Sequence, residues 1–168
     1  MTAKTATKDT TSTMPQAGDM APAFTLAMEE NKTFSLADQK GKFVVLYFYP
    51  KDDTPGCTIE AKDFRDLEPE FLAANTVIIG LSKDPVKSHD KFKDKFCLPF
   101  QLGSDEDGKV CEKYGVWQEK AWYGKKYMGI SRTTYVIGET GVIEHVYPKV
   151  SVSEHVETIL SDIQKGNE

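Results

Sequence analysis

The segment Lys42-Phe43-Val44-Val45-Leu46-Tyr47-Phe48-Tyr49-Pro50-Lys51-Asp52-Asp53-Thr54-Pro55-Gly56-Cys57-Thr58 decides the architecture. Its first eight residues are almost continuously β-branched or aromatic, the composition of a strand buried on both faces. Pro50 has no amide hydrogen for a ladder and stops the strand. Beyond the turn residues, Phe64, Leu67 and Phe71 recur at helical spacing among charged residues, so a helix begins near Cys57 and runs towards Ala73. A helix N-terminus offers unpaired N–H groups and partial positive charge, both favourable to an anion. A cysteine delivered there is poised to react as thiolate. The expectation is a nucleophilic Cys57; the alternative is a small buried hydrophobe, a common fate of free cysteine.

Around this unit the chain alternates strands and helices. Phe24–Leu26 and Thr33–Leu36 form short flanking pieces, and Thr76–Leu81 is a second buried strand. A charged helix follows with Val86, Phe92 and Phe96 as its apolar positions, and Asp105 to Tyr114 suggests another short helix. Thr133–Ile137 and Val142–Tyr147, separated by Gly138-Glu139-Thr140-Gly141, predict a hairpin. A last helix lines up Val152, Val156, Ile159, Leu160 and Ile163. This order implies a single α/β domain over residues 18–168, with a central mixed β-sheet flanked by helices. Residues 1–17, rich in Thr and Lys without an apolar run, are expected to be a disordered tail.

With 168 residues the chain is large enough for a sizeable core without disulfide staples. A net charge of −5 argues against nucleic acid or an anionic membrane as the main partner. No apolar stretch approaches the roughly 20 residues of a membrane-spanning helix. The first seventeen residues lack the apolar run of a secretory signal and the arginines of a transit peptide. Three cysteines do not make a secreted disulfide framework, so a reducing cytoplasm is the expected location.

Pro50, Thr54 and Cys57 form a P-x-x-x-T-x-x-C pattern. The Thr54 hydroxyl is able to donate to an incoming oxygen while accepting a bond itself. The pattern resembles the active-site signature of peroxiredoxins, and the longer run Phe48 to Thr58 is similar to their bacterioferritin-comigratory, or Q-type, group. A second block is similar as well: Tyr114 to Lys120 together with Tyr123 to Thr134. The resemblance extends from about Gly18 to the C-terminal helix. It implies a thioredoxin-like fold and a thiol peroxidase without metal or other cofactor. It further implies that Cys57 attacks a hydroperoxide and becomes a sulfenic acid, with thioredoxin or another thiol as reductant.

The same resemblance maps Arg132 onto the arginine that reaches the catalytic thiolate, a role a permanent guanidinium suits; otherwise Arg132 is a solvated strand-edge residue. Glu60 would hydrogen-bond the turn or simply favour the positive helix end. His89, His145 and His155 show no metal-site spacing and are taken as surface or core residues. Trp117, Trp122, Tyr123 and Tyr127 are core or surface aromatics, or wall the mouth of the site or a subunit contact.

Many relatives carry a second cysteine five residues after the first, where this chain has Lys62. Cys97, at the end of the charged helix, is then a possible resolving thiol or a packing residue beside Phe96 and Leu98. Cys111 is more simply a helix–sheet packing residue. With neither, an external thiol reduces the sulfenic acid directly. Relatives of this type are monomers or dimers. Two other functions stay open on the residues: a thioredoxin-like disulfide reductase, disfavoured because Cys57 has no C-x-x-C partner, and a redox sensor or oxidation-activated holdase using the same thiol.

Overall fold

The computed structural model describes residues 14–28 and 32–166. Nine strands and four α-helices follow one another along the described chain. Strands β1 (Thr25–Ala27) and β2 (Thr33–Ser35) lead through a 3-10 turn, Leu36–Gln39, into β3 (Phe43–Phe48) and α1 (Pro55–Ala73). Then come β4 (Thr76–Ser82), α2 (Val86–Phe96), β5 (Gln101–Ser104), α3 (Lys109–Lys113) and the strand pair β6 (Trp117–Trp122) and β7 (Lys125–Ile130). The chain closes with β8 (Thr133–Ile137), β9 (Ile143–Tyr147) and α4 (His155–Gly166).

Seven strands make one mixed sheet in the order β2-β1-β5-β4-β3-β8-β9. Its centre is parallel, with Val45 opposite Ile78 and Ile79 opposite Gln101, whereas β8 runs antiparallel to β3. Alternation along β3 splits the core in two. Val44, Leu46 and Phe48 face one cluster with Val110, Cys111 and Tyr114 of the α3 region. Val45, Tyr47 and Tyr49 face the other, with Cys57, Phe64 and Phe71 of α1, Phe92 of α2 and Val156 and Ile159 of α4. The expected strands, the Cys57 helix and the terminal hairpin are present within a residue or two at their ends, and the terminal helix starts at His155, leaving Val152 of its expected stripe in the loop before it.

Three features differ from expectation. β5 adds a parallel strand although Gln101-Leu102-Gly103-Ser104 has a single large apolar residue; its place beside β4 confers the order. The helix expected over Asp105–Tyr114 is confined to Lys109–Lys113. Gly108 takes a left-handed conformation at its start, and the Asp105 carboxylate accepts the N–H groups of Val110 and Cys111. The charged block Trp117–Ile130 is a separate hairpin, turning at Tyr123-Gly124 with positive φ at both residues. At the N-terminus residues 1–13 of the expected tail lie outside the described residues. Met14 packs on the first cluster ahead of the expected boundary at Gly18, against Gly115.

Candidate active site

Strand β3 ends where Tyr49 donates its N–H to the Leu81 carbonyl, and Pro50, half-buried, supplies no further donor. The chain turns through Lys51–Asp53, with Asp53 in a left-handed conformation, and enters α1 at Thr54. Thr54 is the N-cap residue in extended conformation, Pro55 is the first helical residue and Cys57 the third. The sulfur therefore sits in the turn whose N–H groups have no carbonyl partner inside the helix. The Thr54 hydroxyl donates to the Lys51 carbonyl at 2.9 Å, which closes the turn and leaves its lone pairs outward. Donation to an incoming oxygen requires that hydroxyl to rotate away from Lys51.

Arg132, immediately before β8, reaches this turn. Its Nη2 donates to Cys57 Sγ at 3.4 Å and its Nη1 to Glu60 Oε1 at 2.7 Å. Its backbone is pinned because Val150 donates its N–H to the Arg132 carbonyl. Gly56 makes the approach possible: a β-carbon there would stand 3.0 Å from Arg132 Nη2. Cys57 is 1% exposed and Glu60 fully buried, so the guanidinium acts where charges are poorly screened.

Behind Arg132 the structure adds two residues that the spacing of the sequence did not single out. His155, the first residue of α4, has Nε2 2.9 Å from Thr134 Oγ1 and 3.9 Å from Glu60 Oε2. Oε2 itself has no hydrogen-bond partner among the described residues. Burial pushes the Glu60 carboxyl up to about 7, against the opposing pull of Arg132. Burial, and then the Arg132 charge, push His155 down to about 4. For Arg132 burial works towards a lower value, but its contacts with Cys57 and Glu60 outweigh it and hold the guanidinium charged.

A second polar network braces the loop. Asp52 accepts Tyr49 Oη at 2.6 Å, Ser88 Oγ at 2.7 Å and His89 Nδ1 at 2.7 Å, while its backbone N–H donates to Asp84 Oδ2. Asp52 is lowered despite its burial, because His89 and the hydroxyls favour the carboxylate. Asp52, Asp84 and His89 are close enough to suggest a cation site. Their ligand atoms are already occupied: Asp84 Oδ2 also accepts Ser82 Oγ, and His89 Nε2 must donate to the Gly103 carbonyl. The cluster ties the loop to α2 and β5.

The other sequence-marked residues separate clearly. Cys111 is buried in the cluster on the opposite face of the sheet from Cys57, and burial raises its thiol far above the usual range. Cys97 is exposed, in the left-handed conformation that ends α2, and does not pack beside Phe96 and Leu98 in the core. Lys62 is exposed. Tyr123 and Tyr127 are exposed on the β6–β7 hairpin, whereas Trp117 packs on the core and lies under Lys83 Nζ at 4.0 Å. The side chain of Trp122 is outside the described ones.

Comparison with known proteins gives a consistent picture. Residues 17–146 match the family model described as AhpC/TSA family. The bcp peroxiredoxin of Coxiella burnetii is 54% identical over 145 residues, covering 86% of this chain and 96% of the relative. Peroxiredoxin Bcp of Bacillus subtilis is 45% identical over 151 residues, covering 90% and 96%. The bacterioferritin comigratory protein of Xanthomonas campestris, solved in trapped intermediate and ligand complexes of alkyl peroxide reduction, superposes with a TM-score of 0.82. It is 38% identical, and the match covers 86% of this chain and 92% of that one.

Proposed function

The chain belongs to the AhpC/TSA family, among the Bcp and Q-type peroxiredoxins of thioredoxin-like fold, and from that premise we propose that Cys57 is its peroxidatic nucleophile. The observation that carries the assignment is the 3.4 Å contact of Arg132 Nη2 with Cys57 Sγ in the first turn of α1. A guanidinium and a helix start both direct positive charge at one sulfur, and the thiolate is the form of a cysteine that attacks peroxide. The thiolate takes the distal oxygen of R–O–O–H: an S–O bond forms, the O–O bond breaks, and the alkoxide leaves as alcohol after protonation. With hydrogen peroxide the product is water. Thr54 and Arg132 position and polarise the peroxide, and Pro50 shields the pocket without offering a competing donor.

Regeneration uses a thiol, either Cys97 or an external reductant such as thioredoxin. Arg65 Nη1 donates to the Phe96 carbonyl at 2.9 Å, which places the end of α2 beside α1 at Arg65. Arg65 follows Cys57 by eight residues, or about 12 Å along the helix. A disulfide needs Cα atoms about 4.4–6.8 Å apart. Lys95 Nζ, two residues before Cys97, also donates to Asp53 Oδ2 at 2.8 Å in the loop that leads into α1. Because Cys57 is buried while Cys97 is exposed, a bridge between them needs the start of α1 to open. We assign a monomer or weak dimer working in the cytoplasm; among the described residues no helix is long and apolar enough to cross a membrane. Replacing Cys57 with Ser should abolish peroxide consumption in the presence of a dithiol reductant, and retained turnover would overturn the assignment.

A further inference from the structure

Arg132 is the cation in contact with both acids of this site, while Lys120, half-buried on β6, acts on Cys57 and Arg132 through its charge without a hydrogen bond to either acid among those described. Arg132 stands between Cys57 Sγ at 3.4 Å and Glu60 Oε1 at 2.7 Å, and Glu60 is fully buried. If both acids were ionised, the buried group would hold a surplus anion, and burying an unbalanced charge is costly. The charged and titratable groups that face Glu60 are few: Cys57 and Asp63 on its own helix, Arg132 before β8, Tyr47 on β3 and His155 on α4. No N–H or O–H among the described residues donates to the buried Oε2, so the charged form of Glu60 is stabilised at Oε1 alone.

We propose that Glu60 holds a proton while Cys57 is a thiolate and releases it as the thiolate is consumed, keeping the buried site neutral in both states. This rests on Cys57 being the peroxidatic cysteine. The step balances as Cys57–S⁻ + R–O–O–H + Glu60–COOH giving Cys57–S–OH + R–OH + Glu60–COO⁻. The sulfur is oxidised by two electrons and the peroxide bond is reduced. The proton lost at Glu60 equals the one that the leaving alkoxide requires. Glu60 does not touch the peroxide; it acts through Arg132, whose charge turns from the sulfur to Oε1 once the sulfenic acid is neutral. The ordinary value of Glu60 raised by burial supports this assignment. His155 Nε2 lies 3.9 Å from Oε2.

The test compares wild type with Glu60→Gln, which keeps an oxygen for Arg132 Nη1 and is permanently neutral. Single-turnover reaction with hydrogen peroxide is followed between about pH 6 and about pH 9. Wild type should lose about tenfold to a hundredfold in rate above neutrality, the lower range of proton-transfer contributions. Glu60→Gln should react flatly over the alkaline range, because its site has no proton to lose. In parallel, infrared difference spectra of wild type, reduced minus oxidised, should show a protonated-carboxyl band lost on oxidation. The same alkaline decline in both proteins, or no carboxyl band in wild type, overturns the proposal. Failure of wild type to react with peroxide at any pH would instead remove the peroxidase assignment. The spectra need no variant, so poor folding of Glu60→Gln leaves a decisive measurement.

Discussion

Replacing Arg132 with Met removes the guanidinium while keeping much of the side-chain volume. At an effective dielectric constant near 20, unit charges 3.4 Å apart attract by about 5 kcal/mol. Desolvating both groups consumes much of that, and a net hydrogen bond to a charged group is worth about 1.5–3 kcal/mol. Transferred to the transition state, the loss corresponds to roughly a tenfold to 150-fold fall in the rate of peroxide reduction. The variant should nevertheless fold. Breaking a buried ion pair usually costs about 3–5 kcal/mol because the surviving charge stays buried. Here Glu60, which burial pushes up to about 7, is neutral without its partner, so the stability loss should fall below that range. Arg132→Lys should fall between, since it restores charge without the two-pronged contact to sulfur and carboxylate. The assay is stopped-flow consumption of hydrogen peroxide by reduced enzyme in a single turnover, with thermal unfolding in parallel. A rate for Arg132→Met within threefold of wild type, on folded protein, would refute the role given to this contact.

Gly56→Ala places a methyl 3.0 Å from Arg132 Nη2, so the guanidinium must move; the same single-turnover assay should show a rate loss of about tenfold, with little change in helix content. His155 bears on stability through pH. Burial depresses its folded value from 6.5 to about 4, so its contribution is complete above about 6.5 and is lost as pH falls through about 4. Glu60 runs the other way: with its value raised from 4.5 to about 7, its contribution fades as pH rises through that interval. His155→Gln should thus remove an acid-side loss of about 1–3 kcal/mol, and its melting temperature should fall less than that of wild type on acidification from neutrality. Parallel melting curves would contradict this. Cys97→Ser should abolish any intramolecular disulfide formed after peroxide, whereas Cys111→Ala should leave it intact and cost about 1 kcal/mol of unfolding free energy by chemical denaturation.

The β3–α1 unit was legible because both of its elements carry strong periodic signals and Pro50 marks the boundary between them. The position of Cys57 at the start of the helix was legible from the same unit. The β6–β7 hairpin was not: Gln118-Glu119-Lys120 and Lys125-Lys126 lack alternation, and its turn is Tyr123-Gly124 rather than an Asn-Gly pair. β5 owes its order to β4, a long-range pairing that four residues do not announce. Glu60 sits at a spacing that suits helix-end electrostatics, so the sequence pointed to the turn; only folding brings Arg132, 72 residues away, onto its carboxylate. His155 and Thr134 meet for the same reason, through the docking of α4 on the sheet. The placement of Cys111 also needed the fold, since only the sheet shows that it and Cys57 lie on opposite faces.

Intact-mass analysis and non-reducing peptide mapping after one equivalent of hydrogen peroxide decide whether Cys57 is the thiol that meets peroxide. The first change is expected at Cys57, either as one added oxygen or as a disulfide joining its peptide to that of Cys97. Oxidation appearing first at Cys97 or Cys111, with the Cys57 peptide unmodified, would contradict it.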